Sequence, residues 1–391
     1  MAERSYDVVL FGATGFAGGL TAEYLAQHRT AGLRWALAGR NQAKLAAVRD
    51  RIAAIDPTLT DLALLSADVT DAASVRSVAE SARVVITTVG PYVLYGHALV
   101  AACADAGTDY VDLTGEPEFV NTSYLRHHAR AVQTGARLVH ACGFDSIPHD
   151  LGAYFTVLQL PAGVPLQVSG YVRSSAAISG GTLYSAMTGF SRIRANVTAA
   201  RDRKALEPKS SDGRRARSVP GRPHRENVDN TWAVPLPTLD PDVVARSARG
   251  NPRYGPDFRY SHYVSVPGLP IAAGGVLGVG ALVGLAQIPP ARRAILSRLK
   301  PGEGPSAEKR ARSWFTVTFV GKGGGRRVVT RVSGGDPGYD ETAKMLAESA
   351  LALAADDLPE VAGQVTTATA MGDALLERLQ RAGIKFEVVE A

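Results

Sequence analysis

The amino-acid sequence predicts an α/β fold built on a doubly wound parallel sheet, and three observations carry that expectation. An apolar run, Tyr6 to Phe11, leads directly into the glycine-rich turn Gly12-Ala13-Thr14-Gly15-Phe16-Ala17-Gly18. Short apolar strands then alternate with helical segments to about residue 150, the pattern of successive βα units. Several strands end on glycine- or proline-bearing turns, at Gly39, Gly90-Pro91 and Gly143, on the edge where such sheets take ligands.

Taken in order, Tyr6 to Phe11 reads as a buried strand and Gly19 to about His28 as the helix after the turn. Gly12 permits a tight exit from the strand. Gly15 lets the backbone approach a pyrophosphate with no Cβ in the way, and Gly18 allows helix to pack closely on strand. The N-terminus of that helix, entered through Thr14 and Phe16, offers free N–H groups and a favourable dipole to negative charge. Together these mark a dinucleotide-binding βαβ unit of a Rossmann-type sheet. The second strand, Trp35 to Ala38, is followed by Gly39-Arg40-Asn41, not by the acid that accepts ribose hydroxyls in an NAD site. Arg40, with Lys44 one helical turn on, instead matches the 2′-phosphate of NADP(H). Leu62 to Leu65 leads to Asp68, an acid suited to the adenine edge. Val84 to Val89 leads to Gly90-Pro91-Tyr92 and Tyr95, and Tyr110 to Leu113 leads to Thr114-Gly115-Glu116. Arg137 to Ala141 leads to Cys142-Gly143-Phe144-Asp145-Ser146-Ile147-Pro148. Gly90, Pro91 and the turn from Gly143 to Pro148 therefore fall on the ligand edge.

With 391 residues, 46% hydrophobic and 20% charged, the chain is long enough for two domains and a large core. Its two cysteines, Cys103 and Cys142, fit neither a metal site nor a disulfide framework, so a reducing compartment is expected. Met1 to Ser5 is short and polar ahead of the first strand, so no signal peptide is expected. The net charge of +6 is concentrated: residues 201–225 hold nine Lys or Arg against three acids. That window is expected as a solvated basic loop, or as a patch meeting anionic lipid, an acidic partner or a phosphate-bearing substrate. No aromatic residues interleave its charges, which argues against nucleic acid.

The remainder reads as α+β. Leu166 to Arg173 is a strand; Trp314 to Val320 and Arg327 to Val332 form a hairpin around Lys322 to Gly325. Thr342 to Leu358 and Asp373 to Ala382 are amphipathic helices, and Phe386 to Val389 is a last short strand. Between them, Val264 to Ala291 carries no charge, and its inner 18 residues, Ile271 to Ile288, are aliphatic or glycine save Gln287. A buried hairpin or helix, a surface element dipping into lipid, and a membrane span all remain open for it.

The motifs Gly12 to Gly18, Gly39-Arg40, Val89-Gly90-Pro91-Tyr92 and Cys142 to Asp150 together resemble the saccharopine dehydrogenase-like oxidoreductases, most of all their actinobacterial trans-acting enoyl reductase branch. Ser179-Gly180-Gly181-Thr182, Gly335 to Tyr339 and Met371-Gly372-Asp373-Ala374-Leu375-Leu376 extend the resemblance over nearly the whole chain. One departure is visible: Val365-Thr366-Thr367-Ala368 stands where that family often has a Thr-Pro pair. The resemblance implies an NADP-binding domain over 1–150, an inserted α+β substrate domain over 151–339, and a segment, 340–391, that returns to the first. It also implies NADPH-dependent reduction of a double bond in a polyketide or long acyl chain carried by a separate synthase, in the cytoplasm or peripherally at the inner face of the plasma membrane. A reductase of a C–N bond, and a non-catalytic NADP-binding sensor or scaffold, are the alternatives. No Tyr is followed by Lys four residues later and no Cys/His/Glu cluster suggests zinc, so no metal is expected and the protein has to supply at most a proton. The candidate donors are Tyr92, Tyr95, Asp145 and His149; Ser179 to Thr182, glycine-rich ahead of a helical run, is a candidate hold for a substrate carbonyl or phosphate.

Overall fold

Two sheets organise the chain, seen here in a computed structural model that describes residues 4–176, 180–208, 212–297 and 304–391. Six strands come first: β1 (Tyr6–Phe11), β2 (Trp35–Gly39), β3 (Ala63–Ser66), β4 (Ala82–Thr87), β5 (Asp109–Asp112) and β6 (Arg137–Val139). Then follow β7 (Leu166–Ser174), β8 (Arg215–Ser218), β9 (His224–Glu226), β10 (Thr231–Pro235) and β11 (Asp257–Val266). The last are β12 (Phe315–Gly323), β13 (Arg326–Gly334), β14 (Gly363–Val365) and β15 (Lys385–Glu390).

The first sheet runs β14-β6-β5-β4-β1-β2-β3, and every pair in it is parallel. Apart from β14 this is the order of a dinucleotide-binding sheet, with the crossover point between β1 and β4. Its strands are apolar on both faces because helices cover both. Val8 and Leu10 of β1 point into one core with Leu346, while Val9 and Phe11 point into the other with Val75, Leu99 and Phe119. Helices Phe16–His28 and Asp340–Ala355 pack together on the first face, and Ala72–Ser81, His97–Ala106 and Pro117–Thr134 line the second.

The second sheet is mixed, ordered β15-β13-β12-β7-β11-β10-β9, with β8 paired to β11. Helix Ile147–Leu158 carries the chain from the first sheet to the second and lies against β7, β12 and β13. A Cβ on Gly152 would stand 2.3 Å from the Phe319 ring, so this helix seats only as closely as it does because position 152 is glycine. The C-terminal stretch serves both sheets: β14 extends the first and β15 pairs with β13 in the second.

The hairpin, β7, the two late helices and the last strand lie close to where the sequence expects them. One expectation is corrected and one open choice is narrowed. Residues 201–225 are not simply a solvated loop: Arg201 to Leu206 complete a helix that begins at Ile193, and β8 and β9 belong to the sheet. Arg203 is 4% exposed, its guanidinium stacked 4.3 Å over the Tyr124 ring and paired with Glu207; a charge count along the sequence cannot see such partners. The apolar stretch is not core either. Leu269–Gln287 is one helix with a mean hydropathy of 2.0, only 11% buried, and Leu277 at its middle is 74% exposed.

Candidate active site

The turn after β1 is shaped by close approach. Gly12 adopts φ +93°, where an L side chain is strained, and a Cβ there would also meet Val89 at 2.7 Å. A Cβ on Gly18 would lie 2.3 Å from the Gly12 carbonyl oxygen, whereas Gly15 has nothing nearer than 3.5 Å on that side. Gly12 and Gly18 thus bring helix onto strand while Gly15 leaves open space before the helix. Gly15 caps Phe16–His28 with no side-chain hydrogen bond, so its first N–H groups face that space unpaired by side chains, as a diphosphate requires. Thr14 is exposed beside Gly15. The Phe16 ring faces elsewhere: it meets Tyr339 edge-on at 4.8 Å and lies under Arg310 at 5.3 Å.

At the end of β2, Arg40 and Lys44 are both exposed. Asn41 caps the next helix by accepting from the Lys44 backbone N–H at 2.9 Å, which points both basic side chains off the same turn. Arg40 makes no hydrogen bond or ion pair with another described residue, although its charge reaches Asp68. Asp68 closes its own turn by accepting from the Thr70 N–H and hydroxyl at 2.9 and 2.8 Å. Those bonds, with Arg40 as a lesser cause, hold its carboxyl below the usual range. The residues present fit NADP(H): an open glycine turn for the diphosphate, and a free guanidinium where the 2′-phosphate falls.

The proton-donor candidates occupy different surroundings. Tyr92 is buried; its hydroxyl donates to the Thr87 carbonyl and accepts from the Leu113 N–H, both at 3.1 Å. Burial, then the charge of Asp112, keeps its phenol well above the ordinary tyrosine range. Tyr92 therefore ties β4 to β5 below the cis Gly90-Pro91 bond, and its proton is committed. Glu116, which sequence reasoning passed over, closes this corner. Its two oxygens accept from the Tyr92 and Val93 N–H groups at 3.0 and 2.9 Å, and from Ser185 at 2.9 Å. Tyr95, at the end of that short turn of helix, is 44% exposed.

Asp145 lies in the loop that crosses from β6 to the second sheet. It is accessible to solvent yet crowded by protein on its other sides. Burial, reinforced by the nearby charge of Asp240, pushes its carboxyl up to about 7. It makes no hydrogen bond to any described residue, and a Cβ on Gly115 would stand 2.9 Å from its Oδ2, so glycine at 115 keeps the carboxyl free. His149, one helical turn on, is 2% exposed. Its Nε2 lies 3.5 Å from Asp240 Oδ1, and His262 Nε2 lies 3.7 Å from Asp240 Oδ2. Burial lowers both imidazoles to about 3, so neither carries a proton to give near neutrality. Asp240 and His262, far from His149 in the chain, left no spacing by which to find this trio.

Ser179 lies outside the described residues, as do the side chains of Gly180, Gly181 and Thr182; the backbone of these three opens helix Gly180–Phe190. Through Ser185 and the Arg192–Glu118 pair, at 2.8 and 2.6 Å, this helical region is held beside the Pro91–Tyr95 corner.

Comparison with known proteins agrees with this geometry. Residues 8–139 match the family model of the saccharopine dehydrogenase NADP-binding domain. A candidate trans-acting enoyl reductase of Mycobacterium tuberculosis is 40% identical, over 98% of this chain and 97% of its own length. The trans-acting enoyl reductase of Mycobacterium ulcerans is 38% identical over the same shares. Among solved structures, apo saccharopine dehydrogenase (L-Glu forming) from Saccharomyces cerevisiae superposes with a TM-score of 0.58 at 12% identity, over 98% of this chain and 100% of that one, a likeness of fold.

Proposed function

Because the chain belongs to the trans-acting enoyl reductase branch of the saccharopine dehydrogenase-like family, we propose that it reduces the α,β double bond of an acyl or polyketide thioester delivered by a separate synthase. The protein is an NADP-dependent oxidoreductase. Bound NADPH supplies a hydride to the β-carbon of the substrate. The residues of the chain bind, orient and protonate around that transfer. Gly12, Thr14, Gly15, Gly18, Gly90 and Pro91 shape the cofactor groove, Arg40 and Lys44 hold the 2′-phosphate, and Asp68 borders the adenine side. Phe16 and Tyr92 keep the groove walls in place.

The observation that carries the reading is Asp145. Reduction leaves an enolate whose α-carbon takes up a proton, and a carboxyl raised to about 7 holds one to give near neutral pH. Asp145 is open to solvent and has no hydrogen-bond partner among the described residues, so it is placed to meet a substrate rather than to brace the fold. That favours catalysis over a cofactor-binding scaffold. Tyr95 is the alternative donor, and His149 acts as a neutral positioning residue. We assign the cofactor domain to 1–150, the substrate domain to 151–339, where Ser179 to Thr182 are the candidate substrate hold, and the returning segment to 340–391.

The exposed helix Leu269–Gln287 supports peripheral membrane contact. Its apolar surface faces outward and Arg292 and Arg293 follow it, an arrangement suited to anionic lipid and to substrates with long chains. A location in the cytoplasm at the inner face of the membrane is in keeping with this arrangement. The decisive assay incubates purified protein with NADPH and 2-enoyl thioesters of graded chain length. The expected result is cofactor oxidation matched one for one by saturated product; tight NADPH binding with no oxidation across the series would leave the scaffold reading instead.

A further inference from the structure

We propose that a second anion site, separate from the cofactor groove, binds a phosphate ester at the end of the arm that carries the acyl chain. The site is a cavity of about 530 Å³ bordered by Arg203, Arg214, Arg246 and Arg249, with Glu207 the single acid among the described residues of its wall. It lies where β6 and β14 end, and the diphosphate turn lies where β1 ends, with β5 and β4 between them in the sheet. Both therefore open on the ligand edge, at different places along it.

The first argument is charge. Arg203, Arg249 and Arg246 converge on the one Glu207 carboxylate, at 2.6, 2.5 and 3.4 Å. Asp212 is engaged with Arg214 at 2.5 Å, and Asp242 comes no nearer to Arg246 than 3.8 Å. Burial, with the repulsion of Arg246, pushes Arg203 down to about 9. Three guanidiniums on one carboxylate in a partly dry wall leave positive charge uncompensated, and a phosphate compensates it through charge-assisted hydrogen bonds.

The second argument is independent of charge. His140 lines the cavity and is 6% exposed; Asp112 Oδ2 holds its Nδ1 at 2.7 Å, and its Nε2 has no partner among the described residues. Gln364 also lines the cavity, and its Oε1 is likewise unpartnered. Buried polar atoms of this kind call for a ligand group or an ordered water; the Gln364 carbonyl oxygen, an acceptor, suits an N–H or O–H of the arm rather than the phosphate itself. Opposite them, Val120, Leu239 and Val243 give an apolar wall that suits a slender stem better than a bare ion. His140 and Ala141 run on through Cys142–Phe144 to Asp145, so one loop carries the anion site and the proposed proton donor. This inference rests on the enoyl reductase reading for its choice of ligand, and not for the existence of the site.

The test is calorimetric titration of the full chain saturated with NADP⁺, which fills the cofactor's own phosphate sites. Three probes are used: crotonyl pantetheine, crotonyl phosphopantetheine and crotonyl coenzyme A. The phosphorylated arm is expected to bind at least about tenfold tighter than the unphosphorylated one, and inorganic phosphate is expected to compete. Arg246→Gln with Arg249→Gln should abolish that preference while NADP⁺ affinity is kept. Equal affinity for the two arms, or a preference that survives the double variant, overturns the proposal. Should the variant fold poorly, phosphate competition on the wild-type protein still decides. Tighter binding of the coenzyme A thioester identifies a free substrate and equal binding a carrier-tethered arm; either upholds the site. No turnover is needed, so a failed reductase assay leaves this result standing.

Discussion

A carboxyl that keeps its proton near neutrality is useful to catalysis only where substrate can reach it, and Asp145 meets both conditions. As a general acid it works when protonated, so kcat should fall as pH rises through about 7, the value to which burial and Asp240 push it. Asp145→Asn should lower kcat by roughly 10²–10⁴-fold and flatten that pH limb, with NADPH affinity unchanged; a pH–rate profile of both proteins checks this. Arg40→Asp removes a charged contact and sets a like charge against the 2′-phosphate. It should weaken NADPH binding on the order of tenfold to hundredfold and leave NADH binding much less affected, as read by fluorescence titration. Arg40 stands out in the sequence because the role proposed for it depends on one position at a strand end. The environment of Asp145 was not, because Asp240 arrives from a distant helix and Gly115 from another loop.

At the scale of single elements, close packing and exposure make opposite demands. Gly18→Ala places a methyl 2.3 Å from the Gly12 carbonyl. Helix Phe16–His28 must then shift off β1, with a loss of about 1–3 kcal/mol and of diphosphate affinity; thermal unfolding and cofactor titration report the two effects. Helix Leu269–Gln287 behaves the other way. Val276 and Leu277 are 58% and 74% exposed, so Val276→Asp with Leu277→Asp should leave the unfolding midpoint nearly unchanged. The same pair should sharply reduce sedimentation with anionic lipid vesicles; vesicle binding equal to that of the wild type would remove the membrane from the account. The apolar character of this helix is plain in the chain. Its exposure is not, since a buried and a lipid-facing helix of 19 residues share one composition.

For the molecule as a whole, the connection between the two sheets runs through buried carboxylates as well as apolar contacts. Asp150, on the helix that crosses between the sheets, accepts from the Thr367 hydroxyl at 2.7 Å and the Ala368 N–H at 2.9 Å. It thereby pins the short helix that follows β14. Burial raises its carboxyl above the ordinary aspartate range, to about 6, so the stability it contributes is present at low pH and lost as pH rises through about 6. Asp150→Asn should flatten the pH dependence of chemical unfolding across that window. The turn Gly12 to Gly18, the basic Arg40 at the end of β2, the strand–helix alternation and the late hairpin were all determined by the sequence itself. Each rests on contacts between near neighbours or on the conformational freedom of single residues, which local order encodes. Tertiary structure alone decided the placement of β14 and β15 in different sheets, the convergence of Arg203, Arg246 and Arg249 on Glu207, and the approach of the Asp240 charge to Asp145. Those depend on desolvation and on charges brought together from distant segments, quantities that come into being only when the chain closes on itself.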